Sequence, residues 1–153
     1  VNYMNTSFFC VFCSTVSGPV IYHDNRDIFS STTIKDLSAT LDHLSNGRLI
    51  LGIGRGLGRV EFEGFGVKQE DSRAIFVEAA QTILEGLERG YCEHDGSFVK
   101  QPRRELRPRP FKSFRGRTYA AAVSPESSEI MARLGIGILI IPQKPWDLVA
   151  TEL

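Results

Sequence analysis

Arg55 stands inside a cluster of glycines, Gly52-Ile53-Gly54-Arg55-Gly56, directly behind the apolar run Leu49–Ile53. Glycines let backbone approach a ligand closely, and a guanidinium offers a rigid fork of donors to a phosphate. A second arginine, Arg73, falls in the first turn of the next helical segment. A cation there opposes the helix dipole, so a nearby anion would account for it. Ser124 and Ser127 sit at the start of a later helix, where free backbone N–H groups and the dipole favour an anion. Arg55, Arg73, Ser124 and Ser127 together have the chemistry of a phosphate cradle.

The plainer readings stay open at this point. Ser124-Pro125-Glu126 is first a good capping sequence. Glu126 and Glu129 would repel an anion, and the arginines could be solvated or paired with Glu61, Glu63 or Glu70. The standard phosphate loops do not match. A G-x-G-x-x-G frame from Gly52 meets Leu57 at its third glycine, and one from Gly54 meets Arg59. A P-loop needs Gly-Lys, a pair the chain lacks.

Other reactive groups are sparse. The histidines are His23, His43 and His94, and His43 is expected to serve the C-terminal end of its helix as a cation. Neither a Ser-His-Asp arrangement nor a G-x-S-x-G elbow is visible. Cys10 and Cys13 form a lone C-x-x-C without the further ligands a structural zinc wants, so no metal site is expected. Glu61 and Glu63 read as loop charges. No residue is assigned as catalytic, and any reaction is expected to be carried by a cofactor.

The elements that must position the cradle follow from periodicity. Ile34, Leu37, Leu41 and Leu44 recur at helical spacing, and Asn46-Gly47 ends that helix. Leu49–Ile53 suits a buried strand. Asp71 or Ser72 would cap a helix whose apolar face runs through Ile75, Phe76, Ala79, Ala80, Ile83, Leu84 and Leu87, with Gly90 as its stop. Residues 91 to 116 hold Pro102, Pro108 and Pro110 among many arginines and read as an irregular excursion. Thr118–Val123 is a second strand, Ser124 to Gly135 a helix, and Ile136–Ile141 a third strand. Apolar strands alternating with amphipathic helices argue for parallel βα units. Ligands of such folds sit at the C-terminal strand ends, where Arg55 and Ser124 both fall.

The bulk composition agrees. The 153 residues carry 18 basic and 18 acidic side chains, a balance that argues against nucleic acid or an anionic membrane as partner. The hydrophobic share is 42%, ordinary for a globular domain. The apolar run Phe8–Cys13 is too short to span a bilayer, and no Lys or Arg precedes Arg26, so a cytoplasmic location is expected. Val1 and the uncapped end at Leu153 read as cut termini.

Three blocks carry a resemblance: Leu41-Asp42-His43-Leu44-Ser45-Asn46-Gly47-Arg48-Leu49, then Gly52-Ile53-Gly54-Arg55-Gly56, then Glu61-Phe62-Glu63-Gly64-Phe65-Gly66. With Ser72-Arg73 and Ser124-Pro125-Glu126-Ser127, this order resembles the bacterial luciferase-like, flavin-dependent monooxygenases over about residues 34 to 149. The resemblance implies an α/β fold, an incomplete (β/α)8 TIM barrel of about strands four to six with their helices. Residues 34–153 would form the partial barrel domain, with 1–33 an unassigned N-terminal segment. It implies FMN as cofactor, its phosphate held by Arg55, Arg73, Ser124 and Ser127 and by the backbone at Leu57. Partners would be the flavin and a small organic substrate. Exposed strand edges would favour a homo-oligomer.

Two departures stand out. Gly54 occupies the position of luciferase's reactive cysteine, and nothing in residues 1–33 matches a catalytic histidine of the family. Three alternatives therefore stay beside the monooxygenase reading: a non-enzymatic flavin-binding protein, an inactive truncated fragment, and a deazaflavin-dependent hydride-transfer oxidoreductase.

Overall fold

The computed structural model describes residues 8–13, 31–55, 59–65, 68–122, 124–140 and 145–152. In chain order the elements are β1 (Phe8–Cys13), α1 (Ser31–Leu44), β2 (Leu49–Gly54), α2 (Arg59–Phe65), α3 (Ser72–Arg89), β3 (Tyr91–Asp95), β4 (Lys100–Glu105), β5 (Thr118–Ala122), α4 (Pro125–Leu134), β6 (Gly137–Ile140) and α5 (Trp146–Glu152). The fold is mixed α/β. Its main sheet has the order β1-β2-β5-β6, with β3 and β4 forming a separate ribbon.

β2, β5 and β6 run parallel, Ile53 facing Ala120 and Ala120 facing Ile138. The expected parallel units are therefore present. β1 is different. It lies antiparallel along β2, Phe8 opposite Gly54 and Cys13 opposite Leu49. It covers the backbone edge that β2 would otherwise leave unpaired.

The core forms where β2 meets α3. Leu49, Leu51 and Ile53 are buried, as are Ile75, Phe76, Ala79, Ala80, Ile83 and Leu87 along one face of α3. The spacing of three and four brings those side chains onto one stripe. Each large one contributes about 1.5–3 kcal/mol relative to exposure. Ala120, Met131 and Ile136 close the core from β5, α4 and the entry to β6. α3 stops at Gly90, whose φ of 75° is left-handed, its N–H donating to the Gly86 carbonyl. α1 stops the same way, with Asn46 at φ 55° and Gly47 at φ 74°.

The excursion expected over 91–116 is only partly irregular. Its first half is the β3–β4 ribbon, which α3 holds from below. Glu78 Oε1 accepts from Phe98 N at 3.0 Å and from Val99 N at 2.7 Å. The second half is tied to the α1–β2 corner. Arg117 reaches both carboxylate oxygens of buried Asp42, at 2.7 and 3.2 Å, and donates to the Leu49 carbonyl at 2.8 Å. The Leu51 N–H in turn donates to the Arg117 carbonyl, so the same knot seats β5 beside β2. His43 takes part as well. Its Nε2 lies 2.7 Å from the Arg109 carbonyl, which can only accept, so the ring holds the loop rather than its own helix end.

Candidate functional site

Three of the expected residues arrive at the C-terminal end of the parallel strands through three separate elements. β2 ends at Gly54, so Arg55 is the first residue beyond it. β5 ends at Ala122, and Ser124 follows as the cap of α4. Because β2 and β5 are parallel neighbours, both strand ends open on the same side. Arg73, the second residue of α3, comes in from the loop that follows β2.

Ser124 is extended at φ −142°, ψ 153°, and its hydroxyl accepts from Ser127 N at 3.3 Å. Its Oγ also lies 2.9 Å from Ser127 Oγ. Pro125 in the first turn supplies a fixed φ where no N–H is needed. The result is a ten-residue helix that starts with two linked hydroxyls at its positive end.

Arg55 is half-buried and donates from Nη1 to Ser72 Oγ at 2.8 Å. Ser72 is itself buried and passes its proton to the Gln69 carbonyl at 2.6 Å. Ser72 thus anchors Arg55 and does not cap α3. Asp71 holds the N-cap position without a side-chain hydrogen bond. Arg73 Nη1 pairs with Glu126 Oε1 at 2.5 Å, joining the start of α3 to the start of α4. Two of the alternative acidic partners are engaged elsewhere, Glu63 with Arg59 and Glu70 with Lys68, and the Glu61 side chain lies outside the described residues.

The electrostatics are those of a site with surplus positive charge. Burial lowers the Arg55 guanidinium below its usual value, the Arg73 charge adds to that, and Glu126 opposes it. An arginine stays protonated regardless, so the direction measures how costly the charge is where it sits. An anion between Arg55 and Arg73 would offset the repulsion between the two charges. Leu57, the remaining expected contact, lies outside the described residues.

Sequence reasoning missed Ser72 as the anchor of Arg55 and Glu126 as the partner of Arg73. The first carried a weak signal, a serine directly before an arginine at a helix start. The second carried none, because Glu126 in a first turn is also what a helix dipole prefers. A cleft of about 550 Å³ opens at the opposite, N-terminal end of the strands, lined by Leu84, Glu88, Arg89, Phe114, Arg115 and Ile136. It shares no residue with the arginine–serine cluster. No described helix is long and apolar enough to cross a membrane.

The pattern of the luciferase-like monooxygenases matches residues 30–153. The chain is 33% identical over 100 residues to the alkanal monooxygenase alpha chain of Aliivibrio fischeri, which covers 65% of this chain and 28% of that protein. It is 29% identical over 114 residues to the beta chain of the Photorhabdus luminescens enzyme, covering 74% of this chain and 34% of that one. Its fold is similar to that of the monooxygenase RslO1 from Streptomyces bottropensis, with a TM-score of 0.72, 27% identity, and coverage of 82% of this chain and 39% of that one. Across the curated relatives, the chain spans between 18% and 34% of their length.

Proposed function

Since this chain belongs to the luciferase-like monooxygenase family, we propose that it carries the cofactor-phosphate site of a flavin-dependent monooxygenase. The parallel β2-β5-β6 unit would be the part of a (β/α)8 barrel around strands four to six. Arg55, Arg73, Ser124 and Ser127 would hold the phosphate of FMN, with the Leu57 backbone as a further contact. The whole enzyme would act on a small organic substrate. Reduced flavin, when bound, would supply the chemistry toward oxygen.

The observation that supports this reading is a chain of contacts: Arg55 is bonded to Ser72 beside Arg73, and Arg73 is paired with Glu126, which in sequence lies between the linked Ser124 and Ser127. Two guanidinium groups against one carboxylate leave a surplus positive charge, and a phosphate dianion is the ligand chemistry that matches it. The role of these residues is to bind and orient. Ser72 fixes the direction of Arg55, and the α4 N-terminus adds backbone donors. A deazaflavin presents its phosphate in the same way, so the cradle serves both cofactors.

Titration with FMN and with riboflavin, followed by flavin fluorescence, tests the reading. FMN is expected to bind more tightly than riboflavin. Arg55→Ala is expected to weaken FMN about 10- to 100-fold, the range for losing a hydrogen bond to a charged group, and to leave riboflavin unchanged. Equal binding of the two ligands by the unaltered chain would remove the phosphate site.

A further inference from the structure

Glu126 is the carboxylate paired at the cradle, and it holds Arg73 at 2.5 Å. The other acid of α4, Glu129, is paired with Arg133 at 2.6 Å. Glu126 stands directly between Ser124, the cap, and Ser127, whose N–H that cap accepts. The pair is open to water, with Arg73 41% and Glu126 61% exposed, so it can part without unfolding anything.

From this we infer that Glu126 is an internal counter-anion that competes with the phosphate for Arg73 and so sets how tightly the site binds. The inference rests on the phosphate reading above. Without ligand, the carboxylate neutralises one of the two arginines and tethers the start of α3 to the start of α4. With a dianionic phosphate between Arg55 and Arg73, three negative charges would crowd two positive ones, and Glu126 must release Arg73. Arg55 needs no such release, because its partner Ser72 is neutral. Glu126 is thus a specificity-determining residue. A ligand gains the second arginine only if its charge outbids a carboxylate, which riboflavin does not and FMN does.

The test compares the unaltered chain with Glu126→Gln and Glu129→Gln, each titrated with FMN and with riboflavin. Glutamine keeps the size and one acceptor oxygen and removes the charge. An exposed ion pair is worth little, so Glu126→Gln is expected to tighten FMN about two- to five-fold. Riboflavin affinity stays level, and Glu129→Gln leaves both unchanged. In an Arg73→Ala background the effect of Glu126→Gln disappears. Unchanged or weaker FMN binding in Glu126→Gln overturns the inference. So does an equal gain in Glu129→Gln, which would reduce the effect to net charge. The two levels of failure are distinct. A chain that prefers FMN over riboflavin but ignores Glu126→Gln refutes the gate alone. A chain with no such preference refutes the phosphate site and the gate together.

Discussion

Asp42 and Arg117 illustrate how much a single buried pair decides. The Asp42 side chain is 0% exposed and that of Arg117 19%. Burial by itself pushes the Asp42 carboxyl up. The Arg117 guanidinium and the Lys112 N–H outweigh it and hold the group below the usual carboxylate range. A depressed carboxyl contributes stability above its unfolded pKa of about 3.9, and that contribution is lost as pH falls through the lower native value. Asp42→Ala would leave Arg117 with backbone carbonyls alone and no carboxylate, at a cost of about 3 kcal/mol at neutral pH. Urea unfolding at a series of pH values checks this. The gap between the unaltered chain and Asp42→Ala is expected to narrow on acidification below pH about 4. A gap that stays constant with pH would mean that the ionised pair is not what Asp42 contributes.

Among the elements, the β3–β4 ribbon lies outside the main sheet and reaches the core through Cys92. Most of β4 is exposed, and the turn that leads into it is fastened by one carboxylate from α3. Removing that acceptor orphans two backbone N–H groups, worth about 1–3 kcal/mol each when they stay dry. Glu78→Ala is therefore expected to speed amide hydrogen exchange at Phe98 and Val99 while leaving α3 protected. Glu78→Gln, which keeps an acceptor oxygen, is expected to show much less of this. Exchange that rises equally in α3 would show that the ribbon and the core open as one unit. Gly96 belongs to the same joint. A Cβ built there would lie 2.0 Å from Glu78 Oε1, so a side chain at this position would displace the carboxylate from its two N–H donors.

For the molecule as a whole, the main sheet of the described residues ends in β1 on one side and β6 on the other. β6 carries Leu139 at 46% exposure. Beyond it, α5 leaves Trp146 at 65% and Leu148 at 51%. An unpaired edge beside apolar side chains is a template for association, and a lysine on the edge is the usual protection. Leu139→Lys is expected to lower any concentration-dependent rise in mass seen by sedimentation. No change with that substitution would place self-association elsewhere on the surface.

Local pattern was enough for part of this. The stripe Ile75 to Leu87, the Ser124-Pro125 cap and the glycine stops at Gly90 and Gly135 are written in neighbouring residues, because helix period and capping depend on a few positions. The candidate cradle was legible for the same reason, each of its members sitting at a strand end or a helix start. The Asp95-Gly96 pair was an available hairpin signal over 91–105, but the run lacks apolar alternation, and what holds it is Glu78, far back in the chain. Tertiary structure alone decided that β1 runs antiparallel along β2, that Ser72 carries Arg55, and that Arg73 meets Glu126. Those contacts depend on the register of β5 against β2 and on the packing of α4 beside α3, distances that no local spacing encodes.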